Sequence, residues 1–165
     1  MKFNKRSSVI FIILLAIMVS IFTFSSHTGT ESSELSSKVT RLISRIIFRG
    51  FKGMTPSQQE FIIAGLHPFV RKLAHFSIYM LLGMFTYAFV TLSEIQLHPR
   101  TAVSWVFCII YAAADEFHQS FTPGRSMQLR DVVIDSAGAF FGIIAAIVII
   151  AVLEYIKNAL KKEEK

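Results

Sequence analysis

Ionisable side chains occur inside some of the most apolar stretches of this chain, in three short strings. These are RKLAHFSIY from Arg71, DEFHQSFTPGR from Asp115 and RDVVIDSAG from Arg130. A charge at the centre of a bilayer costs about 2.5–3.5 kcal/mol on insertion scales, so several charges together require one another as partners. The sequence therefore predicts that the three strings meet in one polar pocket. The predicted binding residues are Lys72, His75, Tyr79, Asp115, Glu116, His118, Gln119, Arg125, Asp131 and Asp135.

Helical spacing supports this pocket, because residues three or four apart lie on the same face of a helix. Acids and bases in the three strings nearly balance, which favours mutual neutralisation. A purely structural cluster of ion pairs is the alternative interpretation. The groups that share a face are Lys72 with His75 and Tyr79, Asp115 with His118 and Gln119, and Asp131 with Asp135.

Binding of a polar headgroup is the first function that these residue types suggest. Arg125, Lys72 and Arg71 have the chemistry to hold a phosphate or carboxylate, and Asp115 and Glu116 to hold hydroxyl or amine groups. The expected partners are membrane lipids, a lipid-linked cell-wall precursor or a lipophilic antibiotic.

Catalysis on a lipid headgroup is the second function that these residue types suggest, and the residues alone do not decide between binding and catalysis. Asp115 or Glu116 would act as general base, His118 or His75 as acid, and Arg125 would stabilise phosphate charge. A metal-assisted variant would use Asp115, His118 and Asp135 around manganese or zinc, although the sequence fixes no metal site and no cofactor. Nucleotide-binding loops and nucleophile elbows are absent, and a transporter is a weaker option for so few crossings.

The elements that must position these residues are membrane helices. Hydrophobic residues make up 53% of the 165 residues and charged residues 17%, which leaves too little polar surface for a water-soluble domain. Four apolar runs predict an all-α, polytopic membrane domain over residues 1–165. The predicted crossings are residues 8–26, 69–91, 101–121 and 129–154, with the pocket between the second, third and fourth. The Gly138 and Gly142 pair is more typical of helix packing than of binding.

The first loop is expected to contain one or two further helices at the membrane surface. Apolar residues repeat at helical spacing over residues 33–49 with basic residues opposite, which predicts an amphipathic helix in the headgroup layer. Thr55, Pro56 and Gln58 predict the start of a short helix over residues 56–65, with Gly65 at its end.

The formal net charge of +6 does not indicate nucleic acid, because the basic residues flank apolar runs. Their numbers on the two sides of the membrane are nearly equal. Basic residues precede the first helix and follow the last, from Lys2 to Arg6 and from Lys157 to Lys165. We therefore expect both termini in the cytoplasm and the polar pocket at the outer face.

The order of these motifs resembles the VanZ-like family of bacterial membrane proteins. The resemblance covers FSS at Phe24 to Ser26 and residues 70–142, and His27 departs from the glutamine expected after FSS. It implies a multi-pass protein of the bacterial cell membrane, with a role in low-level resistance to the glycopeptide teicoplanin and no defined reaction. The residues matching the family pattern are Lys72, His75, Asp115, Glu116, His118, Gln119, Pro123, Gly124, Arg125, Asp131 and Asp135.

Overall fold

The computed structural model describes residues 5–93 and 99–163, and these residues form helices and no strand. The all-α prediction is confirmed. Lys2 and Lys165, which contributed to the predicted orientation, lie outside the described residues. The helices are α1 (Lys5–Ser25), α2 (Gly29–Ile47), α3 (Pro56–Leu92), α4 (Arg100–Gln119) and α5 (Leu129–Glu163), with a 3-10 helix at Phe51–Gly53.

Three of the described helices are long and apolar enough to cross a membrane: α1, α3 and the Leu129–Lys162 part of α5. The 20 residues of α4 span roughly 30 Å at ~1.5 Å per residue, which is sufficient length. Its last turns carry Asp115, Glu116, His118 and Gln119, and these polar side chains lower its hydropathy.

The α3 helix joins two segments that the sequence predicted to be separate. Thr55 and Gln58 form the expected capping box, with Pro56 in the first turn. The predicted end at Gly65 was wrong, because the helix continues through Pro68 for 37 residues in all. A glycine costs only about 1 kcal/mol in a helix, and α2 packs along this half of α3 and supports it.

The α2 helix begins earlier than predicted, at Gly29 rather than near residue 33. Thr28 is its N-cap, and the Thr28 hydroxyl and the Glu31 carboxylate form a reciprocal capping box with the backbone. These hydrogen bonds from Thr28, the backbone one first, lower the pKa of Glu31. The Thr-x-x-Glu signal was present in the sequence and was missed.

The two faces of α2 differ in what they contact. Thr40 and Ser44 are buried, and Ser33 and Arg41 reach α3 at His67 and Glu60, with an Arg41–Glu60 distance of 3.3 Å. The apolar face is largely exposed, and its first half borders a cavity. Its exposed residues are Leu35, Val39, Leu42, Ile46 and Ile47.

Close packing of α5 against α3 forms the centre of the bundle, and glycines make it possible. A Cβ atom on Gly138 would lie 2.4 Å from the Phe76 carbonyl oxygen, and one on Gly83 would lie 2.1 Å from that of Ala139. The expected packing role of the Gly138 and Gly142 pair is confirmed. This contact sets α3 and α5 side by side where their polar strings begin.

Hydrogen bonds attach α4 to two neighbours. The Trp105 indole donates to the Ser136 carbonyl of α5 at 3.0 Å, and the Tyr111 hydroxyl donates to the Met18 carbonyl of α1 at 2.8 Å. Cys108 and Ala112 are fully buried on the inner face of α4. Asp115 lies three residues beyond Ala112 and therefore shares this inner face, so its side chain points toward the interior.

Candidate functional site

A cavity of about 340 Å³ lies where the end of α1, the first half of α2 and the middle of α3 meet. Asp115 of α4 and Arg125 of the α4–α5 loop also line it. Its apolar wall residues are Ile21, Leu35, Val39, Val70 and Ile78, and its ionisable ones are His27, Arg71, His75, Tyr79, Asp115 and Arg125. The arrangement suits a ligand that is apolar over most of its length and polar at one point.

Gln119 connects the polar side chains at the end of α1 and α4. Its amide nitrogen donates to Asp115 Oδ2 at 2.9 Å and to Ser25 Oγ at 3.2 Å. Its amide oxygen accepts from Arg125 Nη1 at 2.9 Å, and Arg125 Nη2 donates to the Phe24 carbonyl at 3.4 Å. The Gln119 amide therefore bridges Asp115 and Arg125, which do not contact each other directly.

Tyr79 brings a phenol to the same place from α3. Its side chain is completely buried and lies beside the Asp115 carboxyl group. Its hydroxyl has no partner with regular hydrogen-bond geometry among the residues that the structure describes. A buried, unsatisfied hydroxyl next to a cavity is available to a ligand, since leaving it unpaired has a cost.

Two contacts between α3 and α5 lie behind the cavity wall. Lys72 Nζ contacts Asp131 Oδ1, and His75 Nδ1 lies 3.9 Å from Asp135 Oδ2. Asp135 is fully buried, and neither of its carboxylate oxygens has a hydrogen-bond partner within the described chain. Of these four residues only His75 lines the cavity. Lys72 is paired with Asp131 and does not line it.

Glu116 and His118 lie outside the cavity, contrary to the prediction of one pocket. Glu116 is buried, and its Oε2 accepts from the Gln128 backbone N–H at 2.9 Å, which ties the α4–α5 loop to α4. The His118 ring stacks on Phe22 of α1 with centroids 4.6 Å apart. Successive residues on a helix point in different directions, so the DE-x-H string cannot place all its side chains together.

The arrangement expected for the metal-assisted variant is not present. In the described ranges, no three His, Cys, Asp or Glu side chains come together in a way that would hold a metal ion. Asp115 faces the cavity, His118 faces α1 and Asp135 faces His75 of α3.

The turn after α4 forms one rim of the cavity. Arg125 N donates to the Thr122 carbonyl at 3.1 Å, which closes a turn over Thr122 to Arg125, and Gly124 adopts a φ of 76°. Gly29 N donates to the Pro123 carbonyl at 3.0 Å, and a Cβ atom on Gly29 would lie 2.5 Å from the Gly124 oxygen. The turn therefore contacts the start of α2 and also positions Arg125.

The position of the cavity differs from the expected one between the second, third and fourth crossings. It lies on the α1–α2 side of α3, and no residue of α5 lines it. Ser25, Ser32 and Ser36 are lining residues that the sequence reasoning did not select as ligands. Serines on helices carry no distinguishing signal in a single sequence, although the early start of α2 was readable from its cap.

Comparison with known proteins gives one match. A family model described as VanZ/LLP1 matches residues 10–151 of the chain. No curated protein and no solved structure matches it.

Proposed function

We propose, from the premise that this chain belongs to the VanZ/LLP1 family, that it is a multi-pass membrane protein that binds an amphiphile in its cavity. The amphiphile is a membrane lipid, a lipid-linked cell-wall precursor or a lipophilic glycopeptide. Its polar headgroup lies at the Asp115 and Arg125 end of the cavity. The apolar walls hold its hydrocarbon part.

The proposal includes α4 as the fourth crossing. α4 has the required length, and it packs against α1, α3 and α5, which are themselves long and apolar enough to span. With four crossings both termini lie on one side, which we place in the cytoplasm because both ends of the chain are basic. The cavity then opens at the outer leaflet, where cell-wall precursors and glycopeptides are found.

The single observation that carries this proposal is the composition of the cavity. Apolar side chains from three helices surround two arginines, two histidines, a tyrosine and a carboxylate. Charged side chains beside an apolar cavity are costly in a membrane protein unless they serve a ligand or one another. Among these side chains, only His75 has an ion pair with another residue that the structure describes, since its Nδ1 lies 3.9 Å from Asp135 Oδ2. The family resemblance adds resistance to teicoplanin as the physiological role.

Filling the cavity tests the binding function. Ala74 lines the cavity, and Ala64 is exposed on the same helix outside it. Ala74→Trp should remove the ability of the gene to restore teicoplanin tolerance to a deletion strain, and Ala64→Trp should retain it. Equal tolerance in both strains, at equal protein levels, would contradict the role of the cavity.

A second candidate is an enzyme acting on the headgroup, favoured by the position of His75. This side chain lines the cavity with the buried Asp135 behind it, and Asp115 lines the same cavity. A histidine backed by a carboxylate is a common general acid or base. Lipid profiles of the deletion strain and of a His75→Gln strain test it, because an enzyme changes the composition of its substrate pool and a binding protein does not.

A further inference from the structure

Two arginines line the cavity without a carboxylate partner. Within the described chain, ion pairs join Arg41 to Glu60, Lys72 to Asp131 and His75 to Asp135, and none includes Arg71 or Arg125. Arg71 makes no hydrogen bond to another described residue. Arg125 bonds only to neutral oxygens through Nη1 and Nη2, and its buried Nε has no partner among the described residues.

The other charged groups near the cavity do not neutralise both arginines. Asp115 is one carboxylate, and its Oδ2 already accepts from Gln119. Asp131 and Asp135 lie next to Lys72 and His75, and neither aspartate lines the cavity. Among the residues that line the cavity, the two arginines therefore share a single carboxylate, that of Asp115. The Glu116 carboxylate acts on Arg125 from outside the lining.

Arg71 and Arg125 are close enough to affect each other. Burial lowers the pKa of Arg125 and the positive charge of Arg71 lowers it further, and the carboxylates of Asp115 and Glu116 offset this only in part. Like charges brought together next to apolar walls repel, and an anion between them removes this repulsion. A ligand phosphate would add negative charge where the cavity lining itself supplies only the Asp115 carboxylate.

We propose that the cavity takes an amphiphile bearing a phosphate group, with the phosphate held between Arg71 and Arg125. This inference rests on the proposed binding function and specifies its ligand. The two guanidinium groups come from different elements, the α3 helix and the α4–α5 loop. A tetrahedral phosphate offers oxygens in several directions and accepts from both, whereas a planar carboxylate matches one guanidinium fork.

The hydrocarbon part distinguishes this ligand from a free phosphate ion. Ile21, Leu35, Val39 and Ile78 line the cavity beside the two arginines, and burial of apolar chain against them contributes to affinity. An acyl or polyprenyl chain fits this wall. Inorganic phosphate has no apolar group that could pack against this wall.

Binding of matched short-chain probes to the purified full chain in detergent tests the inference. Dioctanoyl phosphatidic acid and dioctanoylglycerol have the same chains and differ in the phosphate. We expect phosphatidic acid to bind at least about tenfold more tightly, as is typical when charged hydrogen bonds are added. Inorganic phosphate alone should not displace it.

The Arg71→Gln variant should lose at least about tenfold in affinity for phosphatidic acid and none for dioctanoylglycerol. Arg71 has no ion pair with a described residue and repels Arg125, so the variant should melt at or above the wild-type temperature. Arg71→Lys is a second variant, expected to bind with intermediate affinity because it keeps the charge and loses the fork. Arg45→Gln is the matched control, since Arg45 is exposed on α2 and does not line the cavity.

The outcomes separate this inference from the proposed function. Equal affinity for the two probes, lost from both in Ala74→Trp, would overturn the phosphate and leave amphiphile binding intact. No binding of either probe by the wild type would overturn both. Inorganic phosphate binding as tightly as phosphatidic acid would overturn the lipid as ligand.

Discussion

The close contact between α3 and α5 predicts a large effect for a single methyl group at Gly142. A Cβ atom there would lie 1.9 Å from the Met80 carbonyl oxygen and 2.9 Å from the Met84 nitrogen. Both are backbone atoms of a helix and cannot rotate away. An ordinary contact begins at 3.4 Å, so Gly142→Ala must push the two helices apart.

Two opposing terms set the size of this effect. Overpacking of a close contact costs about 1–3 kcal/mol, and the upper part of this range applies when the obstacle is backbone. Alanine gains about 1 kcal/mol over glycine in a helix. The net loss of unfolding free energy is therefore about 1–2 kcal/mol, which corresponds to a fall in melting temperature of roughly 2–8 °C for a chain of this length.

Gly65→Ala is the matched control for Gly142→Ala. Gly65 is also helical, but a Cβ atom there meets nothing within 4 Å. Only the gain in helix propensity applies, so this variant should melt at or above the wild-type temperature. Melting of both variants in the same detergent, followed by the Trp105 fluorescence, compares the signs of the two changes. If Gly142→Ala melted as high as Gly65→Ala, the close α3–α5 approach would be refuted.

Three further predictions concern single contacts. Lys72→Met and Asp131→Asn each leave a half-buried charge unpaired, and a double-mutant cycle in chemical denaturation should give a coupling of about 0.2–1 kcal/mol; zero coupling would exclude the pair. Thr28→Ala should lower stability by about 1 kcal/mol and speed hydrogen exchange in the first turn of α2, and unchanged exchange there would contradict the cap. Glu116→Ala removes the acceptor of the Gln128 N–H, so trypsin should cut at Arg125 faster than in Glu116→Gln, which keeps an acceptor; equal rates would argue against this brace.

Local signals predicted the parts of the fold that depend on neighbouring residues. The capping box at Thr55 and Gln58 is present as expected, because the interacting groups lie within one turn. The same kind of signal at Thr28 and Glu31 would have given the start of α2. The predicted break at Gly65 was wrong because contacts with α2 keep the helix continuous there, and such contacts have no trace in the local sequence.

The side chains that share a site were predicted less well than the helices that carry them. Asp115, His75, Tyr79 and Arg125 do line one cavity. His118 does not, since the rotation of α4 turns it toward Phe22 of α1. That rotation is fixed by the packing of α4 on its neighbours and not by the spacing of polar residues along it.

The sequence by itself determined that this is an all-helical, strongly apolar chain with ionisable residues inside three of its apolar stretches, because periodicity and hydropathy are properties of short segments. Only the tertiary structure decided which charges neutralise one another and which remain free. Lys72 meets Asp131 across 59 residues and Gln119 joins Ser25 across 94, while Arg71 and Arg125 both line the cavity. These outcomes depend on how each helix is rotated and how closely it approaches the next, and long-range packing sets both.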